Sequence, residues 1–361
     1  MNKLGIGEIK MFEEEKVEDL KKEFQAIKDH VKNQDTEKVK IAFFGQPGAG
    51  KSSLINKIVG KKVVDTGVQT DVTQEAKIIE EEEMILVDLP GYGTSKFPEN
   101  SYFGKFDPLQ YDLFLCIFSG KFHTADTAFF CELKEKQRIC FFVRTKEDEI
   151  WEDDKPKEEL KNTISSDVAK QVGLDKVKVY FTSSKDKTGI KELKDAIWNE
   201  LEPAKKDKFI RAVKAESMEN LEQKKKACQS LITRYACLAA TNALNPVPGV
   251  DVSVDLGIIM QLFSKLRSTF ALNDSTLKEM SIVVPLANNI IKFATKEGIL
   301  ILLKNFATKM TVKEVAKYIP FIGQVVTIVV GYTIVKAAGE SYLDDCYKLA
   351  KQIFEDEMEK I

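Results

Sequence analysis

Residues 39–60 read VKIAFFGQPGAGKSSLINKIVG, and this stretch decides the fold of the chain. It opens with the apolar run Val39–Phe44, which is typical of a fully buried strand. The next residues match G-x-x-x-x-G-K-[ST] without a mismatch, and Leu54, Ile55 and Ile58 follow at helical spacing. A glycine-rich loop between a strand and a helix predicts a P-loop rather than a chance match, and therefore a nucleoside triphosphate site.

The residue types of this loop fit the chemistry of phosphate binding. Backbone N–H groups of a glycine-rich turn point inward, and the N-terminus of the following helix adds positive dipole, so both attract phosphate oxygens. We expect Lys51 to reach the β- and γ-phosphates as a catalytic residue and Ser52 to ligate Mg²⁺. The residues predicted to bind the nucleotide here are Gly45, Gln46, Pro47, Gly48, Ala49, Gly50, Lys51, Ser52 and Ser53.

The composition is that of a globular protein for which nucleic acid is not an electrostatically favoured partner. Of the 361 residues, 43% are hydrophobic and 30% are charged, which allows a large core and two or three domains. The 54 basic and 56 acidic residues leave a net charge of −2, so no overall basic field favours nucleic acid. Six cysteines without a C-x-x-C pair, with only two histidines, argue against a zinc site and for free thiols in a reducing compartment.

The first predicted segment, residues 1–37, carries an amphipathic helix and no targeting signal. The start lacks the apolar core of a signal peptide and Asn2 excludes N-myristoylation, so we expect a cytoplasmic protein. Residues 12–32 place apolar side chains three or four apart among Glu and Lys, which predicts the helix. Its mixed polar face favours packing on the chain's own helices over docking on a membrane.

The second predicted segment, residues 38–203, alternates apolar runs with helical patterns, which predicts an α/β domain. The acidic run Glu80–Glu83 is interpreted as the solvated tip of a hairpin, so the strands beside it would pair antiparallel. The predicted fold is an α/β P-loop NTPase, a Ras-like G domain with a mixed six-stranded sheet. Its strands are expected at 39–44, 76–80, 84–88, 112–118, 139–143 and 177–181.

The third predicted segment, residues 204–361, forms with the N-terminal helix an all-α domain. Residues 204–227 are charged and free of proline, which predicts one long helix. Tyr318–Val335 has 18 residues without a charge, the lower limit for a membrane span, but Pro320 and two glycines interrupt it, so a buried helix is preferred. Further helices are expected at 276–294, 296–306, 311–318 and 322–359.

Three more motifs each follow a predicted strand, where ligands of α/β sheets bind. In D-x-x-G, we expect Asp88 to approach Mg²⁺ and the N–H of Gly91 to face the γ-phosphate. In the segment 145–148, TKED, the carboxylate of Asp148 can accept from N1 and N2 of guanine, which predicts GTP rather than ATP, although Thr replaces the usual Asn. The third motif, Ser183-Ser184-Lys185, follows the predicted strand 177–181 and fits a further base-recognition loop. The nucleotide-binding residues predicted after the strands 139–143 and 177–181 are Thr145, Lys146, Asp148, Ser183, Ser184 and Lys185.

A switch threonine that completes the Mg²⁺ shell only with triphosphate bound is expected before Asp88. The candidates are Thr66, Thr70 and Thr73, of which we favour Thr73 because of its distance from the next strand. Tyr92 stands where Ras-type enzymes place a water-orienting Gln. We therefore expect slow intrinsic hydrolysis, completed by groups from a second molecule across a G-domain dimer.

Taken together, these residues resemble the immunity-related GTPase (IRG) family, the interferon-inducible class. The form F-V-R-T-K-x-D, with Thr for Asn, is distinctive of that family, so the departure at Thr145 resembles a family trait. The resemblance covers nearly the whole chain. The stretches that carry it are GQPGAGKSS (45–53), VDLPGYGTSKFP (87–98), YDLFLCIFSGKF (111–122), FFVRTKEDE (141–149), NPVPGVDVSVDLGI (245–258) and KYIPFIGQVV (317–326).

The resemblance implies a dynamin-like GTPase that binds GTP and GDP with Mg²⁺. Such proteins form GTP-dependent homodimers or oligomers through the G domain, associate peripherally with intracellular membranes and act in cell-autonomous immunity. Lys51 corresponds to the GKS branch, which implies a self-assembling effector. In the family an acidic residue of switch I contributes to catalysis, and Asp71 is the nearest match.

Two other functions stay open at this point. A nucleotide-gated module that binds a membrane or a partner with negligible turnover would fit the presence of Tyr92. An Era-like ribosome-associated GTPase would fit the nucleotide motifs, but the C-terminal half lacks a basic RNA-binding stripe. Turnover measurements would separate the first from a GTP hydrolase, and rRNA binding would favour the second.

Overall fold

The computed structural model describes residues 37–65, 76–93, 95, 97–242, 245–247, 253–309 and 324–359. Lys38–Glu216 form one compact unit, and the described residues from Ser217 onward belong to a second. The predicted helix at 12–32 and the predicted helix at 311–318 lie outside the described residues.

The first unit is built on a six-stranded mixed sheet with the strand order β2-β3-β1-β4-β5-β6. β2 and β3 pair antiparallel, and every other neighbouring pair is parallel. This confirms the predicted P-loop GTPase fold. The strands are β1 (Val39–Phe44), β2 (Lys77–Glu80), β3 (Met84–Asp88), β4 (Leu113–Phe118), β5 (Cys140–Arg144) and β6 (Val179–Phe181).

Helices cover both faces of this sheet, so the central strands are apolar on both sides. Successive side chains of a strand point to opposite faces, and in β1 Ile41 and Phe43 join one core while Ala42 and Phe44 join the other. Helices α1, α5 and α6 contribute to the first core, and α2, α3 and α4 to the second. These helices are α1 (Lys51–Val59), α2 (Glu99–Lys105), α3 (Thr124–Glu135), α4 (Lys157–Gln171), α5 (Ile190–Glu200) and α6 (Pro203–Ala212).

The prediction of a single long helix at 204–227 is wrong, because one helix ends at Ala212 and the next begins at Met218. The backbone N–H of Lys214 donates to the carbonyl of Ile58 at 3.1 Å, and Lys194 Nζ donates to the Lys214 carbonyl at 3.1 Å. Hydrogen bonds to α1 and α5 thus replace those that a continuous helix would make. The first unit consequently ends at Glu216, beyond the predicted boundary at 203.

The hairpin of β2 and β3 is present, but its acidic run is not fully solvated as predicted. Glu80 and Glu82 are exposed, whereas only 8% of the surface of Glu83 is accessible. Arg211 Nε donates to both carboxylate oxygens of Glu83, at 3.1 and 2.9 Å. A buried carboxylate needs such a partner, and this ion pair joins α6 to the sheet.

The described part of the second unit is helical apart from a short ladder of two two-residue strands, Asn245–Pro246 and Ser253–Val254. Phe263 and Tyr342, which are both buried, stack with ring centroids 4.0 Å apart. A Cβ on Gly339 would come within 2.9 Å of Ile232, so glycine allows the close helix contact. The helices are α7 (Met218–Asn242), α8 (Leu256–Thr269), α9 (Asp274–Met280), α10 (Pro285–Lys292), α11 (Lys296–Ala307) and α12 (Gln324–Met358).

The helices of this unit differ from two predicted segments in their bounds. The helix predicted at 276–294 is two helices, because Pro285 occupies the first turn of α10 and disfavours helical backbone in the residue before it. Residues 324–335, the described part of the uncharged stretch, belong to α12, in which Ile334 and Val335 are buried. Among the described residues, no helix has both the length and the apolar character that crossing a bilayer requires.

Candidate functional site

The loop between β1 and α1 has the backbone of a phosphate-binding turn. Gly45, Gly48 and Gly50 have positive φ angles of 138°, 79° and 88°, which other residues rarely adopt. A Cβ on Gly45 would lie 1.9 Å from the carbonyl oxygen of Ile117, so this position accepts only glycine. The loop therefore lies close against β4 and leads directly into the N-terminus of α1.

Lys51 folds over this loop towards the end of β3. Its Nζ donates to the carbonyl of Gly45 at 2.9 Å and lies 3.7 Å from Asp88 Oδ1. Both side chains are buried, with about a tenth of each exposed. The ammonium group is thus held where β1 and β3 end, and its contact with the β- and γ-phosphates stays a prediction.

Asp88 has a buried acceptor without a donor. Its Oδ1 has no hydrogen-bond partner within the described part of the chain. Burial raises the pKa of Asp88 above its ordinary value, and the charge of Lys51 opposes this only in part. An unsatisfied carboxylate oxygen on Asp88 and the hydroxyl of the half-buried Ser52 are both oxygen ligands of the kind that Mg²⁺ prefers, so these two residues could hold the ion.

Thr145 joins the end of β5 to the phosphate-binding loop. It is buried, and its Oγ1 donates to the carbonyl of Ala49 at 2.5 Å and approaches that of Phe118 at 3.3 Å. The next residue, Lys146, is exposed in the left-handed region with φ of 54°. The hydroxyl of Thr145 therefore contacts the loop backbone, and a direct contact with the nucleotide stays a prediction.

Asp148 is oriented by Ser183, a residue of the loop after β6. Ser183 Oγ donates to Asp148 Oδ1 at 2.6 Å and accepts from the backbone N–H of Asp186 at 3.0 Å. The hydrogen bond from Ser183 lowers the pKa of Asp148, so this carboxylate is ionised at neutral pH and can accept from a ligand. Ser183 is buried, Ser184 is half-buried and Lys185 is exposed.

The segment after β3 is held by aromatic side chains. The Tyr92 ring packs edge-on against Tyr102 and Phe129, with centroids 5.1 and 5.2 Å away. Tyr102, which is fully buried, donates its hydroxyl to the carbonyl of Pro90 at 2.7 Å. Tyr92 is thus part of an aromatic cluster, and the half-buried Gly91 lies between two residues with such contacts, Pro90 and Tyr92.

Sequence reasoning missed Asp126, in the first turn of α3. Gln46 Nε2 donates to its Oδ1 at 3.2 Å, and the backbone N–H of His123 donates to its Oδ2 at 3.3 Å. Burial raises the pKa of Asp126, and the hydrogen bonds oppose this. The spacing His123-x-x-Asp126 resembles a capping box and was the one available signal.

The predicted switch residues cannot be placed in this site. Asp71 and Thr73, like the alternatives Thr66 and Thr70, lie outside the described residues. The remaining predicted residues come together along the carboxyl ends of β1, β3, β5 and β6. They divide into a set around Lys51 that is predicted to bind the phosphates and a set around Asp148 that is predicted to bind the base, with Thr145 between the two sets.

Comparison with known proteins gives a consistent family. The chain is 25% identical over 260 residues to interferon-gamma-inducible GTPase 10 of Mus musculus, covering 67% of this chain and 62% of that protein. It is 23% identical over 266 residues to interferon-inducible GTPase 5 of Rattus norvegicus, covering 68% and 58%. It is 33% identical over 131 residues to interferon-inducible GTPase 1 of Mus musculus, covering 34% and 32%.

These matches span about 60% or less of the relatives' own lengths. The model of the interferon-inducible GTPase family matches residues 8–356, which is nearly the whole chain. The resemblance found in the nucleotide motifs is confirmed by this match. The chain therefore belongs to the interferon-inducible GTPase family.

Proposed function

We propose that this protein binds GTP in preference to ATP and hydrolyses it with Mg²⁺. The observation that carries the proposal is the common position of Lys51, 3.7 Å from Asp88, and of Asp148, bound by Ser183, along one edge of the sheet. A cation and an unsatisfied carboxylate oxygen suit a magnesium-bound triphosphate. An oriented carboxylate suits the two donors that guanine presents at N1 and N2, and adenine has no such pair.

Each residue has a distinct part in this function. Lys51 and the loop N–H groups bind the β- and γ-phosphates, while Ser52 and Asp88 hold the metal ion. Mg²⁺, when bound, neutralises charge on the phosphate oxygens. The N–H of Gly91 would face the γ-phosphate. We retain Thr73 as the switch residue and Asp71 as its catalytic neighbour, on the resemblance alone.

Hydrolysis in this proposal needs a second copy of the chain. Tyr92 stands where a water-orienting Gln is expected, and its ring is engaged with Tyr102 and Phe129. We propose that the protein self-assembles through its G domain in the GTP state, and that groups from the second copy complete the site. The name of the family, interferon-inducible GTPase, supports the hydrolase part of this proposal.

The cellular role is proposed from the family. We infer a cytoplasmic protein that associates peripherally with intracellular membranes and acts in cell-autonomous immunity. The names of the relatives, which describe induction by interferon, support the last point. A vesicle co-sedimentation assay with GDP and with a non-hydrolysable GTP analogue tests the membrane part, since binding should depend on the nucleotide.

The alternative is a nucleotide-gated binding module with negligible turnover. The engagement of Tyr92 in the aromatic cluster favours it, because no other described residue of that segment replaces the Gln. In this case GTP would change the binding of a partner without being consumed. The two functions share the nucleotide site and differ only in phosphate release.

Multiple-turnover phosphate release at several protein concentrations tests the proposal. We expect the rate per molecule to rise with protein concentration, and Lys51→Ala to abolish both release and GTP binding. The matched control is Lys62→Ala, because Lys62 is exposed and its ion pair with Asp65, at 2.9 Å, is local in the chain. Negligible release at every concentration, with GTP binding retained, would favour the alternative.

A further inference from the structure

Glu147 is a buried carboxylate inside the predicted base-recognition segment, and the nucleotide motif assigns it no role. It lies between Lys146 and Asp148, with 8% of its surface exposed. Its backbone N–H donates to the carbonyl of Thr182 at 3.0 Å. The segment that carries Asp148 is thus fixed to the loop after β6 by a main-chain hydrogen bond.

The side chain of Glu147 contacts the far end of the same loop. Its Oε2 accepts from Thr188 Oγ1 at 2.8 Å. Its Oε1 lies 2.7 Å from Lys161 Nζ and 3.5 Å from Lys157 Nζ, both on α4. Burial would raise the pKa of Glu147, but the hydrogen bonds with Lys161 and Thr188 and the two lysine charges outweigh it, so the pKa is lowered.

These contacts lead back to Asp148 through the loop. The carbonyl of Thr188 accepts from the backbone N–H of Ser183 at 3.2 Å, and Ser183 Oγ donates to Asp148 Oδ1 at 2.6 Å. Glu147, Thr188, Ser183 and Asp148 therefore form a closed ring of contacts. Gly189 follows at a φ of 72°, where a Cβ would lie 1.8 Å from the Phe181 carbonyl, so the end of the loop is fixed as well.

We propose that Glu147 is a positioning residue that, through Thr188 and Ser183, orients the Asp148 carboxylate towards guanine and so determines selectivity for the 2-amino group of the base. This inference rests on the proposed GTP binding. Loss of the Glu147 contact would let the loop and the Asp148 carboxylate turn away from the base. Binding of the phosphates at Lys51 would be affected much less.

The nucleotide pair GDP and IDP isolates this effect. IDP, whose base is hypoxanthine, keeps the N1 donor and the phosphates of GDP but lacks the 2-amino group. The ratio of the affinities for GDP and IDP therefore reports the contact of the 2-amino group with Asp148. For one hydrogen bond to a charged acceptor we expect the parent to prefer GDP by about tenfold or more. If the role of Glu147 were purely structural, its substitution would weaken the binding of GDP and IDP equally and leave the ratio of their affinities unchanged.

The experiment is competition of GDP, IDP and ADP against a fluorescently labelled GDP, with the full chain. Glu147→Gln and Thr188→Val should lower the preference of GDP over IDP by about fivefold or more. Thr188→Val keeps the main-chain bond to Ser183 and changes an exposed residue, so it provides a readout if Glu147→Gln folds poorly. The matched control is Glu158→Gln, because Glu158 also binds Lys161, at 3.0 Å, but is 79% exposed.

The outcomes separate the inference from the function on which it rests. A reduced GDP-to-IDP ratio in both variants, with the ratio of Glu158→Gln unchanged, supports the inference. An unchanged ratio in either folded variant, or an equal change in the control, overturns it while GTP binding stands. A parent that binds ADP as well as GDP overturns the proposed function and this inference together.

Discussion

The hydroxyl of Thr145 should hold the phosphate-binding loop against the base-recognition strand. Thr145→Val keeps the branched shape but removes the donor to the Ala49 carbonyl, 2.5 Å away. Because Thr145 is 4% exposed, water cannot replace that donor freely. Leaving a buried acceptor without its partner costs about 1–3 kcal/mol, so we expect a loss of about 2 kcal/mol in the free energy of unfolding.

For a unit of the size of Lys38–Glu216, 1 kcal/mol shifts the melting temperature by about 2–4 °C, so a fall of about 4–8 °C is expected. Tryptophan fluorescence reports this unit alone, because both tryptophans, Trp151 and Trp198, lie within it. The affinity for GDP should fall as well, since Ala49 belongs to the loop. Thr145→Ser, which keeps the hydroxyl, is the control for the melting temperature and the affinity.

Thr145→Asn offers a second control, because an amide can donate in the same direction. We expect it to retain more stability than Thr145→Val. If Thr145→Val melts at the parent's temperature and binds GDP as tightly, the hydroxyl does not couple the two loops, and this reasoning is refuted.

Two other predictions concern buried charges. Glu83→Gln should reduce the free energy of unfolding by about 3–5 kcal/mol, because it removes the carboxylate charge that binds the buried Arg211 guanidinium. The combination of Glu83→Leu with Arg211→Met should be close to neutral in denaturant unfolding. Asp88→Asn should remove a pH dependence of stability: burial raises the pKa of Asp88, so the folded form binds the proton more tightly than the unfolded form, and the parent loses stability as the pH rises from 3.8 through the raised pKa. The same variant should abolish the dependence of GDP affinity on Mg²⁺.

Each of these two predictions has a clear contradiction. If the double variant at 83 and 211 is as unstable as Glu83→Gln, packing rather than charge pairing explains the loss. If the stability difference between the parent and Asp88→Asn is constant across this pH range, the carboxylate of Asp88 does not titrate as its burial requires. Lys62→Ala serves both as a surface control.

Much of the first unit could be predicted from sequence, for a physical reason. Strands buried on both faces are continuous apolar runs, so β1 and β3 were predicted at their observed bounds. The strand–loop–helix context and the glycines with positive φ made the phosphate loop recognisable. The base-recognition segments followed because their strands end at the same edge of the sheet.

What sequence could not give were contacts between distant residues. Glu83 binds Arg211, and no local sequence pattern relates these two residues. The sequence therefore predicts a solvated run at Glu80–Glu83, although Glu83 is buried. The break after α6 contains neither glycine nor proline and depends on two hydrogen bonds of Lys214, whose N–H donates to the Ile58 carbonyl and whose carbonyl accepts from Lys194. The ring from Glu147 to Asp148 likewise depends on the loop after β6 lying beside the base-recognition segment.

The central claim is that Asp148 reads guanine while the loop at Lys51 binds the phosphates, and exchanging the base tests it most directly. Xanthine carries a carbonyl where guanine carries the 2-amino group, and Asn in place of Asp148 supplies a donor to that carbonyl. Equilibrium competition of GDP and XDP should therefore show that the parent prefers GDP and Asp148→Asn prefers XDP, each by about tenfold or more. If Asp148→Asn binds the labelled nucleotide and still prefers GDP, the account is contradicted.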